Sequence, residues 1–217
     1  MSNLPIFLFE FIVFIFSVIV HEISHGVVAE KLGDPTARLA GRLTFNPLKH
    51  IDMFGSILLP LALALPALFG APAIIFGWAK PVPYDPRNLK NPKSGAGKIA
   101  AAGPVSNFAL AIIFGILFRA IAMYGNPSLV PLAGLFVVII YVNILLAVFN
   151  LVPIPPLDGS KILFAFLPNS EAAARMAYTL ERYGMLLLLF FIFFGLDLIR
   201  PLMAWIFGLI TGMPLTM

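Results

Sequence analysis

The sequence predicts an all-α polytopic membrane protein. This prediction rests on the composition and on the recurrence of long apolar segments. Of 217 residues, 60% are hydrophobic and 11% are charged, whereas soluble domains carry about 25% charged residues. Apolar segments of the length needed to cross a bilayer lie at about 4–29, 57–77, 98–124, 131–151 and 183–213. The net charge of +4 is modest and no basic run is interleaved with aromatics, so we expect a lipid bilayer and no nucleic acid as partner.

The first apolar segment runs without a helix breaker into His21-Glu22-Ile23-Ser24-His25. Two histidines at i and i+4 lie on one helix face, which brings both imidazoles to one metal ion with the glutamate beside the open coordination position. A charged metal centre is costly inside a membrane, so its presence points to function. The motif predicts a peptidase with one Zn²⁺ per chain, His21 and His25 as ligands and Glu22 as general base.

Charge around the first segment predicts its orientation in the cell membrane. No Lys or Arg precedes it, and four follow it before the second segment: Lys31, Arg38, Arg42 and Lys49. Because cytoplasmic loops are enriched in Lys and Arg, we expect the amino terminus outside and the active site near the cytoplasmic side.

The segment 57–77 is predicted to re-enter the membrane rather than cross it, the alternative being an ordinary span. Pro60, Pro66 and Pro72 interrupt it, and the loops on both sides are rich in Lys and Arg, which one crossing cannot satisfy. The following stretch, 78–97, is rich in proline and predicted to be a loop. With re-entry, the segment 131–151 returns to the cytoplasmic side and delivers Asp158 to the membrane face of the histidines.

A catalytic zinc needs a third protein ligand, and a chain without cysteine leaves a carboxylate as the candidate. Asp158 follows a proline-stiffened stretch and precedes a predicted short helix, so it is either that ligand or a helix cap or turn residue. His50 is predicted to be a solvated loop residue. Pro201 is expected to break the carboxy-terminal apolar region, which then forms either one span and an interfacial helix or two short spans.

Taken together, three motifs resemble the site-2 protease family of intramembrane metallopeptidases. They are His21-Glu22-Ile23-Ser24-His25, Gly103-Pro104-Val105-Ser106-Asn107 at the opening of a helix, and Asn150 through Pro153-Ile154-Pro155-Pro156-Leu157-Asp158-Gly159. The resemblance is greatest to the small prokaryotic branch without PDZ or CBS domains. It implies a single transmembrane peptidase domain over 1–217, with a catalytic core at about 4–167 and accessory carboxy-terminal helices at about 176–213.

The resemblance also implies roles for individual residues. His21, His25 and Asp158 bind zinc, and Glu22 activates the water. Asn150, Pro153 and Pro155 shape the site and contact an unwound substrate, Asn107 faces the metal, and Asn107 or Asn150 donates to the oxyanion. Residues 41–56 form a small membrane re-entrant β-hairpin, whose edge near Phe54 and Gly55 pairs with the substrate.

The implied activity is hydrolysis of transmembrane proteins or membrane-embedded peptides, as in regulated intramembrane proteolysis. Two alternatives use the same core: a non-catalytic membrane adaptor, against which the intact Glu22 argues, and a metal or solute transporter. Transporters often contain internal repeats, and this sequence shows none.

Overall fold

A computed structural model describes residues 4–58, 62, 65, 78–125 and 127–215. Within them the chain forms the following α-helices: α1 Leu4–Lys31, α2 Thr36–Leu39, α3 Pro92–Tyr124, α4 Val130–Asn150, α5 Asp158–Phe166, α6 Glu171–Phe190 and α7 Leu196–Thr211. Single 3₁₀ turns lie at Pro47–Lys49, Pro86–Asn88 and Pro127–Leu129, and π-helical turns at Met53–Leu58 and Phe191–Gly195.

Four helical stretches of the described residues are long and apolar enough to cross a membrane: Pro5–Lys31, Pro92–Tyr124, Val130–Asn150 and Glu171–Thr211. The prediction of an all-α polytopic membrane protein is therefore confirmed. The predicted re-entry of 57–77 lies almost wholly outside the described residues. On either side of it, the hydroxyl of Ser56 donates to the carbonyl of Trp78 at 2.8 Å, so the flanking residues meet.

Two proline-based helix boundaries were predicted wrongly. Helix α3 begins at Pro92 rather than Gly103, because Asn91 caps it by accepting from the Ser94 amide and Pro92 occupies the first turn, both strong start signals. Pro104 therefore lies inside α3. Pro201 lies inside α7, and the helix continues through it, since unpaired backbone groups are costly in a lipid environment.

The β-hairpin implied for 41–56 is not supported, since this stretch, all of it described, contains helical turns and no strand. Polar side chains explain the difference. Asn46 caps the 3₁₀ turn by accepting from the Leu48 amide at 3.0 Å. Asp52 accepts from the Gly55 amide at 2.7 Å. Such side-chain bonds satisfy backbone donors locally and favour a turn over a strand ladder.

Helix α3 lies centrally and packs against α1, α4, α5 and α7. A buried apolar cluster joins three of these helices through Ala111 and Phe118 of α3, Ile140, Ile144 and Val148 of α4, and Met203 and Phe207 of α7. A second cluster joins α1 to the start of α3 through Ala29, Leu89 and Ile99. This packing brings the carboxy-terminal part of α1, the amino-terminal part of α3 and the end of α4 together.

Candidate metal centre

The two motif histidines lie on one face of α1, where the helical period places them. Their rings are nearly perpendicular, with centroids 4.7 Å apart, and both side chains are buried. One ligand atom from each of His21, Glu22 and His25 lies within 4.8 Å of the others. The glutamate is half-buried, so the group lies at the edge of the bundle core.

Asp158, 133 residues beyond His25, reaches the same point from the start of α5. Its Oδ2 lies 3.0 Å from Nε2 of His21 and 3.2 Å from Nε2 of His25. Leu157, not Asp158, occupies the N-cap position of α5, and no side chain caps this helix. The carboxylate therefore faces the histidines instead of the helix end.

The other ring nitrogens of both histidines are occupied. Nδ1–H of His21 donates to Oδ1 of Asn107 at 2.6 Å, and Nδ1–H of His25 donates to the carbonyl of Ile99 at 2.6 Å. In neutral imidazoles this leaves both Nε2 atoms as electron-pair donors. Two nitrogen lone pairs and a carboxylate oxygen then face one another in a buried space, an arrangement that only a cation or added protons stabilise.

This donor set fits zinc. Imidazole nitrogens and a carboxylate oxygen are its usual non-thiolate ligands, and two ligands bound 2.0–2.1 Å from a tetrahedral ion lie about 3.3 Å apart. The observed separations of 3.0 and 3.2 Å are close to that value. Three protein donors leave a fourth position for water or substrate.

A fully buried amide network supports His21 from behind. Nδ2 of Asn107 donates to Oδ1 of Asn143 at 2.9 Å and to the carbonyl of Ser17 at 3.3 Å. Nδ2 of Asn143 donates to the Ser17 hydroxyl at 3.0 Å and to the carbonyl of Ile139 at 2.9 Å. Asn107 and Asn143 have no exposed surface. Because every amide hydrogen of the pair is used, Asn107 must turn its oxygen toward His21.

The network bears on three residues, Asn107, Asn143 and Ser17. Asn107 is close to the centre but lacks a free donor for an oxyanion, so its place in the structure is behind His21. The sequence analysis missed Asn143 and Ser17. An amide within the apolar segment 131–151 was the available signal, because buried polar groups in a span need a partner.

Gly103 allows the histidines to lie against α3. A Cβ at this position would lie 2.4 Å from Nε2 of His21 and 2.6 Å from Cε1 of His25, well inside van der Waals contact. Glycine is therefore required at 103 by space rather than by backbone conformation.

The other predicted site residues take part in local contacts or lie at the surface. Asn150 donates from Nδ2 to the carbonyl of Leu146 in its own helix at 2.9 Å. Pro153 is exposed, and Pro155 is buried in the loop before Asp158, against Gly184 of α6.

Phe54 packs beside Trp78, with ring centroids 5.8 Å apart, and the Gly55 carbonyl accepts from the Trp78 amide at 3.1 Å. The expectation that His50 is solvated is wrong. It is 3% exposed, and its Nε2–H donates to the carbonyl of Thr44 at 2.8 Å.

Comparison with known proteins gives a matching family model and curated relatives. The model for peptidase family M50 matches residues 9–133 and 120–191. "Putative zinc metalloprotease YwhC" of Bacillus subtilis is 40% identical over 182 residues, which cover 82% of this chain and 77% of that protein. "Putative zinc metalloprotease MJ0611" of Methanocaldococcus jannaschii is 35% identical over 162 residues, 71% of this chain and 72% of that protein. No solved structure gives a significant match.

Proposed function

The chain belongs to peptidase family M50 and is a zinc metalloprotease with membrane-spanning helices; from this premise we propose that it cleaves peptide bonds in membrane-embedded segments of its substrates. The single observation that carries the proposal is the convergence of His21, His25 and Asp158 within a bundle of helices long enough to span a bilayer. We assign these three residues as the zinc ligands.

Zinc bound there acts as a Lewis acid toward a carbonyl oxygen and makes a water molecule more acidic. The chain itself supplies the proton transfers. Glu22 follows the first ligand and places a carboxylate within 4.8 Å of the ligand atoms of both histidines. It is positioned to take a proton from the attacking water and return it to the leaving amine.

Transmembrane segments are the proposed substrates because the centre is built on α1 and α3, two helices long and apolar enough to cross a membrane. A helical substrate shields its peptide bonds with its own hydrogen bonds, so it must unwind locally before cleavage. We propose that the loop of Pro153 and Pro155 and the end of α4 at Asn150 line the path of the unwound segment. Within the described residues one amide hydrogen of Asn150 makes no hydrogen bond, and we propose that it donates to the developing oxyanion.

We further propose that the site faces the cytoplasm and that the amino terminus lies outside. The site end of the bundle comprises the end of α1, the start of α3 and α5. Nine of the 14 Lys and Arg residues lie within 31–98, between the end of α1 and the first turns of α3, which favours that end as cytoplasmic.

The test compares wild type, Glu22→Gln and Asp158→Ala after purification in detergent. The probe is a model peptide of about 20 apolar residues with a fluorophore and a quencher at its two ends. We expect Glu22→Gln to retain one zinc per chain and lose cleavage, and Asp158→Ala to lose zinc. If Glu22→Gln cleaves as fast as wild type, the general-base assignment is wrong, and if Asp158→Ala keeps zinc affinity, the ligand assignment is wrong.

A further inference from the structure

Residues 78–85 lie outside any helix, run against the site and are anchored through alternate residues. The anchoring N–H groups belong to Trp78, Lys80 and Val82, which have the two-residue spacing of an extended chain. They donate in turn to the Gly55 carbonyl at 3.1 Å, the His50 carbonyl at 2.8 Å and Oε2 of Glu22 at 2.9 Å. The third bond is the one that reaches the site.

Val82 fits α1 through both its backbone and its side chain. Glu22 and Gly26 lie one helical turn apart on the same face of α1. The Val82 amide bonds the first of them, and its Cγ1 lies 3.0 Å from the place that a Cβ on Gly26 would occupy. Val82 is 8% exposed, so this contact excludes most solvent.

Among residues 81–83, Val82 alone has a backbone N–H. Pro81 and Pro83 have no N–H, and each fixes its own φ near the value of an extended chain. Only one amide hydrogen therefore exists between 81 and 83, on a backbone with little freedom to turn it away from Glu22.

We propose that the Val82 amide positions the Glu22 carboxylate, an inference that rests on the proposed role of Glu22 as base. A bond from N–H to a carboxylate is stronger than one between neutral groups. By holding Oε2, it restricts rotation of the carboxylate and leaves Oε1 to exchange a proton with water. Val82 is thus a positioning residue whose contribution comes from its backbone.

The deciding variant is Val82→Pro, which removes the amide hydrogen and keeps an extended backbone beside two existing prolines. Val82→Ala keeps the hydrogen and shortens the side chain. Ala79→Pro is the matched control, because it adds a proline to the same segment where the amide makes no hydrogen bond to the described residues. For cleavage of the fluorogenic peptide we expect Val82→Pro to lower kcat about 10- to 100-fold, with KM and zinc content unchanged, and both other variants to retain most activity.

A second measurement does not depend on catalysis. Thermal unfolding of the zinc-free protein is followed for Val82→Pro, Glu22→Ala and the double variant. Val82→Pro is expected to lower Tm by a few degrees in wild type. In the Glu22→Ala background it should leave Tm unchanged or raise it, because the buried N–H has already lost its acceptor.

Equal Tm losses in both backgrounds would show that the contact contributes nothing. Unchanged kcat in Val82→Pro, or an equal loss in Val82→Ala, would overturn the positioning role. A rise in kcat would show that the amide restrains Glu22 in an inactive position, which also contradicts the proposal. Failure of the general-base assignment itself is detected separately, by an active Glu22→Gln enzyme.

Discussion

Replacement of Gly103 by alanine tests whether the packing of α1 on α3 holds the zinc ligands in place, because it leaves all the proposed ligands intact. The new Cβ would lie 2.4 Å from Nε2 of His21, and ordinary contact begins at 3.4 Å. To restore ordinary contact, the His21 ring would have to move by about 1 Å. Metal–ligand distances at a metal site vary by only about 0.2 Å. Alanine also improves helix propensity by about 1 kcal/mol, which offsets part of the strain from overpacking.

We therefore expect Gly103→Ala to bind zinc about 100-fold more weakly, the upper end of the losses seen when residues supporting a metal ligand are changed. The Tm of the metal-free protein should change little. Zinc affinity is measured by competition with a chromogenic chelator in detergent, and Tm by thermal unfolding after the metal is removed.

Gly134 of α4 provides the control, because nothing lies within 4 Å of a Cβ built there. Gly134→Ala should bind zinc as wild type does. If Gly103→Ala also keeps wild-type zinc affinity, the histidines have room to move. The close packing of α1 on α3 then has no part in holding the ligands.

Three other predictions follow from buried or capping hydrogen bonds. Asn143→Leu leaves an amide hydrogen of Asn107 unpaired. It should lower the free energy of unfolding by about 1–3 kcal/mol and zinc affinity about 10-fold, measured by unfolding and by chelator competition. Unchanged zinc affinity would contradict the role of the network. Burial alone would raise the pKa of Asp34, but hydrogen bonds from neighbouring side chains and amides outweigh it and lower the pKa below 3.8. The Asp34 carboxylate therefore stabilises the fold above pH 3.8, and this stabilisation is lost as the pH falls through the lowered pKa. We expect the Tm of the wild type to drop below pH 4, and the Tm of Asp34→Asn to drop less. Arg119→Gln removes guanidinium donors to the last carbonyls of α7, including Ile210 at 2.8 Å, and should increase amide hydrogen exchange at the end of that helix without changing zinc content.

Patterns with a strict geometric period were the most predictable part of the chain. The spacing of His21 and His25 fixed their shared face, because every α-helix repeats after 3.6 residues. Counting crossings predicts Asp158 on the same membrane face as the histidines, and its carboxylate lies beside both of them. Its distance from the histidines depends on packing of α3 against α1 and α4, which no local pattern encodes.

Signals that depend on competition between local interactions were less predictable. Gly103-Pro104 and Asn91-Pro92 both contain a proline suited to a first helical turn, but only Asn91 supplies a cap. The expected hairpin over 41–56 overlooked Asn46 and Asp52, whose side chains stabilise turns. Asn143 was missed because its importance lies in a partner from another helix.

The proposed centre also explains how the carboxylates of Glu22 and Asp158 can lie among apolar helices. With both histidines neutral, the charges of Asp158 and Glu22 balance those of one Zn²⁺, so the occupied centre carries no net charge. An uncompensated charge in this setting would be far more costly than a neutral, hydrogen-bonded cluster. Asn107 and Ile99 accept from the two Nδ1–H groups and hold each neutral imidazole in the tautomer that presents its Nε2 lone pair to the metal. The residues behind the histidines thus select the tautomer of each ligand as well as its orientation.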